Sequence, residues 1–211
     1  PYSPTGSWFH SIPFVNCQDF VADVVTLVAP KISLSVSNTR PVDPNSKIGP
    51  VGVGSSGFIS ATGSIAYRID FENEPSATAP AQQVTVTDQL STSLDWSTFE
   101  LTEIGFGDHL VAVPPKTQYF ETIVPMTYNG VDFEVWIYAG VNPATGKLTA
   151  QFYSIDPATE LPPNVLAGFL PPEDGTGRGM GHISYTIRPK AGLATGTQIR
   201  NVALITFDRG E

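Results

Sequence analysis

Residues 64–94, SIAYRIDFENEPSATAPAQQVTVTDQLSTSL, are the stretch that decides the fold of this chain. Residues 65–72 alternate strictly between apolar and polar side chains, and residues 82–88 alternate again between valines and threonines. Since residues two apart in a strand share a face, each segment predicts a strand with one apolar face and one wet face. The intervening residues 73–80 are too rich in turn formers to continue a strand. The stretch therefore predicts one cross-connected unit of a β-sandwich.

The composition favours an all-β protein with a substantial core. The chain has 211 residues, of which 41% are hydrophobic and 15% charged, so it suits one large β domain or two small ones. Gly and Pro occur 19 times each, which fits many turns. Because no segment shows sustained helical periodicity, we expect almost no helix.

Charge and cysteine usage exclude several classes of function. The net charge is −9 and the basic residues are scattered, which opposes binding to nucleic acid because counterion release needs clustered Lys and Arg. No apolar run is long enough to span a membrane, so we expect no membrane insertion.

The lone Cys17 cannot form an internal disulfide, and no Cys or His spacing matches a zinc site. The chain begins at Pro1 without a signal-peptide pattern, which predicts a processed or excised piece of something longer.

Two alternating runs predict a β-hairpin. Residues 131–138 and 147–155 alternate and are joined by a loop containing Asn, Pro and Gly. The proline-rich residues 156–181 then form a long loop, in which Leu166, Phe169 and Leu170 are expected to cover the open end of the core.

Three further expectations concern the ends of predicted strands. Residues 183–188 and 198–208 are expected to pair with each other as the closing strands. A loop is predicted over residues 88–98, where Asp88 should hydrogen-bond local backbone amides. Prolines and glycines in residues 40–57 predict a boundary, because they interrupt regular hydrogen bonding.

The boundary divides the chain into two parts. Residues 1–40 are interpreted as an N-terminal arm with strands, either the remnant of a preceding module or an addition to an edge of the main domain. Residues 41–211 are interpreted as the β-sandwich.

The strand motifs resemble a known group of proteins. The runs IAYRIDFEN, PAQQVTVTDQL and SYTIRPKAGLATGTQIRNVALITFD resemble the immunoglobulin-like repeat modules of large bacterial secreted and surface proteins. The matching positions are Tyr67, Ile69, Asn73, Ala81, Val84, Val86, Asp88, Leu90, Ile199, Asn201, Ala203, Ile205 and Phe207. The lead-in VDPNSKIGP resembles the entry segment of a long variant of this group.

The resemblance implies an immunoglobulin-like antiparallel β-sandwich with an inserted β-hairpin and a long proline-rich loop. It implies an extracellular or cell-surface location and a non-enzymatic structural or adhesive role, with neighbouring domains of the same polypeptide as partners. Fold alone does not give function, so this role rests on analogy.

Acidic and amide side chains suggest a calcium site that would stiffen the module. The candidate ligands are Asp43, Asn45, Asp70, Glu72 and Asp208, which supply the oxygen atoms that calcium prefers. The alternative is a solvated acidic face with turn-forming residues, and no EF-hand loop pattern is present.

Aromatic residues on the hairpin suggest a carbohydrate-binding module. Trp136 and Tyr138 share the face opposite Val135 and Ile137, and Tyr153 is expected to lie across the hairpin from them. Exposed rigid rings could stack on the sugars of a polysaccharide. The alternative is a second buried face or a domain contact.

Two further hypotheses concern covalent chemistry and catalysis. Some bacterial surface domains join a first-strand Lys to a last-strand Asn beside an acid, and Lys31 and Asn201 fit this order loosely, although the family pattern explains Asn201 structurally. A second alternative function is a glycoside-active hydrolase with a carboxylate pair. The pairs considered are Glu100 with Glu103 and Glu173 with Asp174. We assign no catalytic or cofactor-binding residue.

Overall fold

The computed structural model describes residues 31–34 as a strand and residues 45–208 in full. Within these ranges the chain forms thirteen strands and no helix, which confirms the all-β prediction. The described residues contain no helix that could span a membrane. The strands are β1 (Lys31–Leu34), β2 (Ser46–Ile48), β3 (Phe58–Ser60), β4 (Ile65–Glu72), β5 (Gln83–Gln89), β6 (Leu94–Phe106), β7 (His109–Val111), β8 (Tyr119–Tyr128), β9 (Val131–Asn142), β10 (Lys147–Ile155), β11 (Met180–Pro189), β12 (Gln198–Ile199) and β13 (Ala203–Phe207).

Two five-stranded antiparallel sheets form an immunoglobulin-like β-sandwich. Sheet I has the order β2-β4-β11-β6-β7, and sheet II has the order β13-β5-β10-β9-β8. A small third sheet, β12-β1-β3, joins β1 parallel to β12 and antiparallel to β3. The first and last strands of the sandwich, β2 and β13, are therefore edge strands of opposite sheets.

The core is the apolar layer between the two sheets. The alternating face of β4 is buried, with Ile69 and Phe71 almost fully enclosed, and Val84 and Val86 of β5 are enclosed opposite them. Since β4 lies in sheet I and β5 in sheet II, the predicted cross-connected unit is confirmed.

One end of the core is closed by the long loop before β11. Phe169 is buried and stacks on Phe152, with ring centroids 5.6 Å apart, and Leu170 forms a β-bridge with Ala81, two residues before β5. The prediction for Leu166 was wrong, because this side chain is 59% exposed. Leu166 lies in the outer turn that the Asn164 side chain stabilises, before the chain turns inward.

The predicted hairpin is confirmed, and the predicted closing pair is wrong. β9 and β10 pair along their length, from Asn142 opposite Lys147 to Glu134 opposite Ile155. β11 instead lies between β4 and β6 in sheet I, while β13 pairs with β5 in sheet II. Because β11 and β13 lie in opposite sheets, the segment between them crosses from one sheet to the other.

The proposed division of the chain at residue 41 stays a prediction. β1 pairs with β3 and β12 in the third sheet, and the other residues before residue 45 lie outside the described part of the chain. β2, within the predicted boundary segment, already belongs to sheet I.

Candidate functional site

A cluster of polar side chains lies inside the sandwich between its first and last strands. We call Lys47, Tyr67, Asp88, Tyr185 and Asn201 the buried polar centre. The lysine comes from β2, the tyrosines from β4 and β11 of sheet I, the aspartate from β5 of sheet II, and the asparagine from the segment leading into β13. The centre therefore spans both sheets.

Asp88 is the hub of the centre. Its carboxylate forms a salt bridge with Lys47 Nζ, and the two side chains are 0% and 10% exposed. The Tyr185 hydroxyl donates a hydrogen bond to Asp88 Oδ2 at 3.0 Å. Lys47 Nζ also lies 4.7 Å from the centroid of the Tyr67 ring, within the range of a cation–π contact. The prediction that Asp88 bonds local backbone amides in a loop was wrong, because Asp88 belongs to β5 and points into the core.

Burial controls the protonation of the groups around Asp88. Burial lowers the pKa of Lys47, and the Asp88 charge acts in the opposite direction. Burial, assisted by the Asp88 charge, raises the pKa of Tyr67 to about 12 and the pKa of Tyr185 well above its usual value. Both tyrosines therefore remain protonated and neutral over the physiological range.

Polar atoms without partners concentrate at this centre. Among the described residues, the buried side-chain polar atoms that make no hydrogen bond are Tyr67 Oη, Asp88 Oδ1 and Asn201 Nδ2. All three belong to the buried polar centre. An unsatisfied buried polar group costs about 1–3 kcal/mol, so such a concentration points to a role other than stability.

The local structure directs the Asn201 amide into the centre. Its Oδ1 accepts a hydrogen bond from the backbone N–H of Ser91 at 2.8 Å. Two residues later, Ala203 pairs directly with Asp88 across β13 and β5. The side-chain amide of Asn201 lies beside the Tyr67 hydroxyl. It lowers the pKa of Tyr67, against the larger, opposite effect of burial.

Sequence reasoning missed most of this centre. It considered Lys31 as the partner of Asn201, whereas Lys31 lies opposite Ser60 in the third sheet and Lys47 meets Asp88. One signal was visible: Asp88 follows Val84 and Val86 on the buried face of β5, where a lone carboxylate needs a partner.

The aromatic residues that the sequence singled out lie together on the outward face of sheet II. Trp136 is flanked across the sheet by Ile123 of β8 and Tyr153 of β10. Tyr138 and Tyr153 contact each other edge to face, with ring centroids 6.4 Å apart. All three predicted rings are half-buried, and we call this surface, with Ile123, the outer aromatic face.

The proposed calcium ligands are only partly brought together. Asn45 Oδ1 accepts a hydrogen bond from the backbone of Glu72 at 3.2 Å, next to Asp70, whose carboxylate is paired with Arg68. Asp208 lies on the other sheet, where it accepts the backbone amides of two glutamines. Asp43 lies outside the described residues. No group of three or more His, Cys, Asp or Glu suited to a metal occurs in the described part of the chain, and calcium stays a prediction.

The first candidate carboxylate pair is held by the protein itself. Glu100 accepts the backbone N–H of Lys116 at 2.8 Å. Glu103 lies 2.7 Å from His182 and 3.5 Å from Arg68. Both carboxylates therefore have protein partners.

The second pair stabilises the long loop. Glu173 is only 7% exposed, and its carboxylate accepts three backbone N–H groups at 2.7–2.8 Å. The donors are Gly175, Gly177 and Gly179. These hydrogen bonds, foremost that from Gly177, lower the pKa of Glu173. Hydrogen bonds from Thr176 and Arg178 lower the pKa of the exposed Asp174 to about 2.

Glu173→Gln is expected to destabilise the protein by about 1–3 kcal/mol at neutral pH, because an amide cannot accept all three N–H groups. A lowered pKa in the folded state means that Glu173 contributes stability above its ordinary value of 4.5, and that this contribution is lost as the pH falls through the folded-state value. Urea unfolding measures the free energy of unfolding at neutral and acidic pH. The difference between Glu173→Gln and wild type should be smaller at acidic pH. The exposed Glu160→Gln is the control, and a difference that stays constant with pH would contradict the assignment.

Comparison with known proteins gave few matches. A family model described as "Domain of unknown function (DUF7619)" matches residues 43–120, which is less than half of the chain. A search of the curated proteins found no match. Among solved structures, the collagen-binding domain of the surface protein RspB from Erysipelothrix rhusiopathiae aligns with 11% identity and a TM-score of 0.36. That alignment covers 80% of this chain and 40% of the other.

Two shorter structures align over nearly their whole length. The collagen-binding domain of a Staphylococcus aureus adhesin has 13% identity and a TM-score of 0.31, over 78% of this chain and 98% of the other. The collagen-binding subdomain of the surface protein ACE from Enterococcus faecalis has 9% identity and a TM-score of 0.31, over 80% of this chain and 98% of the other.

Proposed function

We propose that this chain is a non-enzymatic structural module of a secreted or cell-surface protein, built to resist force along the polypeptide. The observation that carries the proposal is the buried polar centre, which ties the first strand of the sandwich to the opposite sheet next to its last strand. Neighbouring domains of the same polypeptide are the partners that would transmit the force.

The topology explains why such a tie is needed. β2 is only three residues long and pairs with a single neighbour, β4. A force on the chain before β2 would peel this short edge strand from sheet I. The Lys47 side chain reaches from β2 to Asp88 of sheet II, so peeling β2 must also break a salt bridge shielded from water.

Mechanical unfolding of single molecules tests this role. The chain is pulled between two marker domains, as wild type and as Lys47→Met. We expect Lys47→Met to unfold at lower force, because its apolar side chain fills the space without the charged contact. Lys147→Met, at an exposed position of the β9–β10 hairpin, is the matched control and should unfold like wild type. Equal unfolding forces for all three proteins would contradict the proposal.

A second candidate function is binding of a polysaccharide by the outer aromatic face. The observation that favours it is the grouping of Trp136, Tyr138 and Tyr153 on the outward side of sheet II, with the neighbouring Ile123 51% exposed. Rings fixed on adjacent strands lose little conformational entropy when a sugar stacks on them. The Trp136 indole is further fixed by a hydrogen bond of 2.9 Å to Glu134.

Trp136→Ala is expected to weaken polysaccharide binding by up to about tenfold, since an aromatic contact contributes about 0.5–1.5 kcal/mol beyond the area it buries. Retardation of the protein in gels containing different polysaccharides measures this effect. Leu110→Ala, which removes an exposed apolar side chain from the edge of sheet I, is the control. Wild-type mobility that is the same in every polysaccharide gel would reject this second function.

A further inference from the structure

We propose that Lys47 and Asn201 join in an intramolecular isopeptide bond between Lys47 Nζ and Asn201 Cγ, with Asp88 transferring the proton. The bond would covalently link the segment that begins the sandwich to the segment that ends it. The inference concerns the same centre as the structural role, but it follows from the chemistry of the side chains and does not depend on that role.

The amide nitrogen of Asn201 is placed as a leaving group. Asn201 Nδ2 is buried and has no hydrogen-bond partner, although an asparagine amide normally donates two hydrogen bonds when it is buried. Release of this nitrogen as ammonia removes the unsatisfied donor. The bond would therefore relieve one of the costs that the folded chain carries at this position.

The Lys47 amine is placed and tuned as a nucleophile. Only a neutral amine can attack a carbonyl carbon, and burial lowers the pKa of Lys47. The adjacent Asp88 carboxylate can accept the proton that the ammonium group must lose. Burial narrows the free-energy gap between the ion pair and the neutral amine with a neutral carboxylic acid, because neither neutral group carries the desolvation penalty of a charge.

The carbonyl of Asn201 is held for attack. The backbone N–H of Ser91 donates a hydrogen bond of 2.8 Å to Asn201 Oδ1. This donor polarises the carbonyl and would stabilise the negative charge that develops on the oxygen when the amine adds to Cγ. It thus has the role of an oxyanion-stabilising amide.

The two carboxylate oxygens of Asp88 have different surroundings. Oδ2 is the atom bound by the Tyr185 hydroxyl and by Lys47, whereas Oδ1 is buried without a partner. The hydrogen bond from Tyr185 fixes the carboxylate in place. Oδ2 can take the proton from Lys47 directly, and the unpartnered Oδ1 remains available to hold a further proton.

The reaction balances without any other reactant. Asp88 takes a proton from the Lys47 ammonium group, and the resulting amine adds to Asn201 Cγ. Asp88 passes that proton to Nδ2, the Cγ–Nδ2 bond breaks, and ammonia leaves. Asp88 then takes the second proton from the former lysine nitrogen, so that the new amide is neutral and Asp88 ends protonated. A primary amide and an amine thereby become a secondary amide and ammonia, with no change in oxidation state.

The intact mass of the purified full chain tests the proposal. We expect the wild-type mass, measured in denaturant, to be lower than the sequence mass by one ammonia. Proteolytic digestion should then yield a branched peptide that contains both Lys47 and Asn201. Each of Lys47→Arg, Asp88→Ala and Asn201→Ala should restore the full sequence mass, whether or not the variant folds normally.

Two controls exclude other sources of the mass loss. Lys147→Arg removes an exposed lysine and should keep the loss. Asn129 precedes Gly130, and Asn–Gly sequences can also release ammonia by cyclising on the following backbone nitrogen, so Asn129→Ala should keep the loss as well. A loss that disappears in Asn129→Ala, or a folded wild-type chain with the full sequence mass, would overturn the proposal.

The bond and the structural role can fail separately. If wild type has the full sequence mass and Lys47→Met unfolds at lower force, the contact between Lys47 and Asp88 is mechanically important but not covalent, and the bond is rejected. A branched peptide together with equal unfolding forces would establish the bond and reject the mechanical role.

Discussion

Asp88→Ala is expected to lower the free energy of unfolding by at least about 3 kcal/mol. The substitution leaves the Lys47 amine and the Tyr185 hydroxyl buried without their acceptor, and breaking a buried pair by removing one partner costs about 3–5 kcal/mol. It also removes the proton carrier, so the amine and the Asn201 amide should remain unjoined. Urea unfolding followed by fluorescence of the three tryptophans measures the change.

A double variant separates the lost partner from a general defect of the core. Lys47→Met combined with Asp88→Leu replaces both charges by apolar groups, which is often neutral for a buried pair. We expect this protein to be more stable than Asp88→Ala alone. Asp132→Ala, at an exposed position beside the β8–β9 turn, should lie within about 0.5 kcal/mol of wild type. A loss below about 1 kcal/mol for Asp88→Ala would contradict the placement of Asp88 as the hub.

Asn201→Ala is expected to lower the free energy of unfolding by about 5 kcal/mol. A covalent link between residues 47 and 201 closes a loop of more than 100 residues in the unfolded chain. For such a loop the chain-entropy model gives about 5 kcal/mol of stabilisation. The hydrogen bond from Ser91, which the variant also loses, contributes only about 1 kcal/mol.

The double variant Lys47→Arg with Asn201→Ala shows whether the large loss comes from one shared bond. Each single variant already removes the one shared bond. The free energy of unfolding that the double variant loses should therefore be far smaller than the sum of the losses in the two single variants. The measurement is a set of urea unfolding curves for the three variants and wild type. Small, additive losses would contradict a covalent link.

The sequence was sufficient for the parts of the fold that depend on alternation. Residues 65–72 show one apolar face, and that face is the one buried in β4. The run around Trp136 correctly separated the buried Val135 and Ile137 from the outward rings. Alternation determines the face on which a side chain lies, because neighbouring residues in a strand point in opposite directions.

Alternation does not determine which strands become neighbours. β11 and β13 were expected to pair with each other, yet they pair with β4, β6 and β5. A strand that is apolar on one face can fill a place in either sheet of a sandwich. The choice depends on the path of the connecting segment, and the short turns at residues 191–192 and 195–196 do not by themselves make a hairpin.

The buried polar centre could not be predicted because its members are distant in sequence. β2 has three residues, too few to show a period, and it lies in a segment rich in Pro and Gly. Tyr67 alternates as an apolar residue, so its hydroxyl gave no separate signal. Asp88 was the exception, since a carboxylate on an otherwise apolar face predicts a buried partner, although not which lysine supplies it.

A crystal structure of the full chain at atomic resolution is the most direct measurement of the central claim. We expect continuous electron density from Lys47 Nζ to Asn201 Cγ, at the length of an amide bond, about 1.33 Å, with Asp88 in contact and no density for Asn201 Nδ2. Separate Lys47 and Asn201 side chains, with the asparagine amide intact and lysine pointing to solvent, would contradict both the bond and the buried tie between the first and last strands.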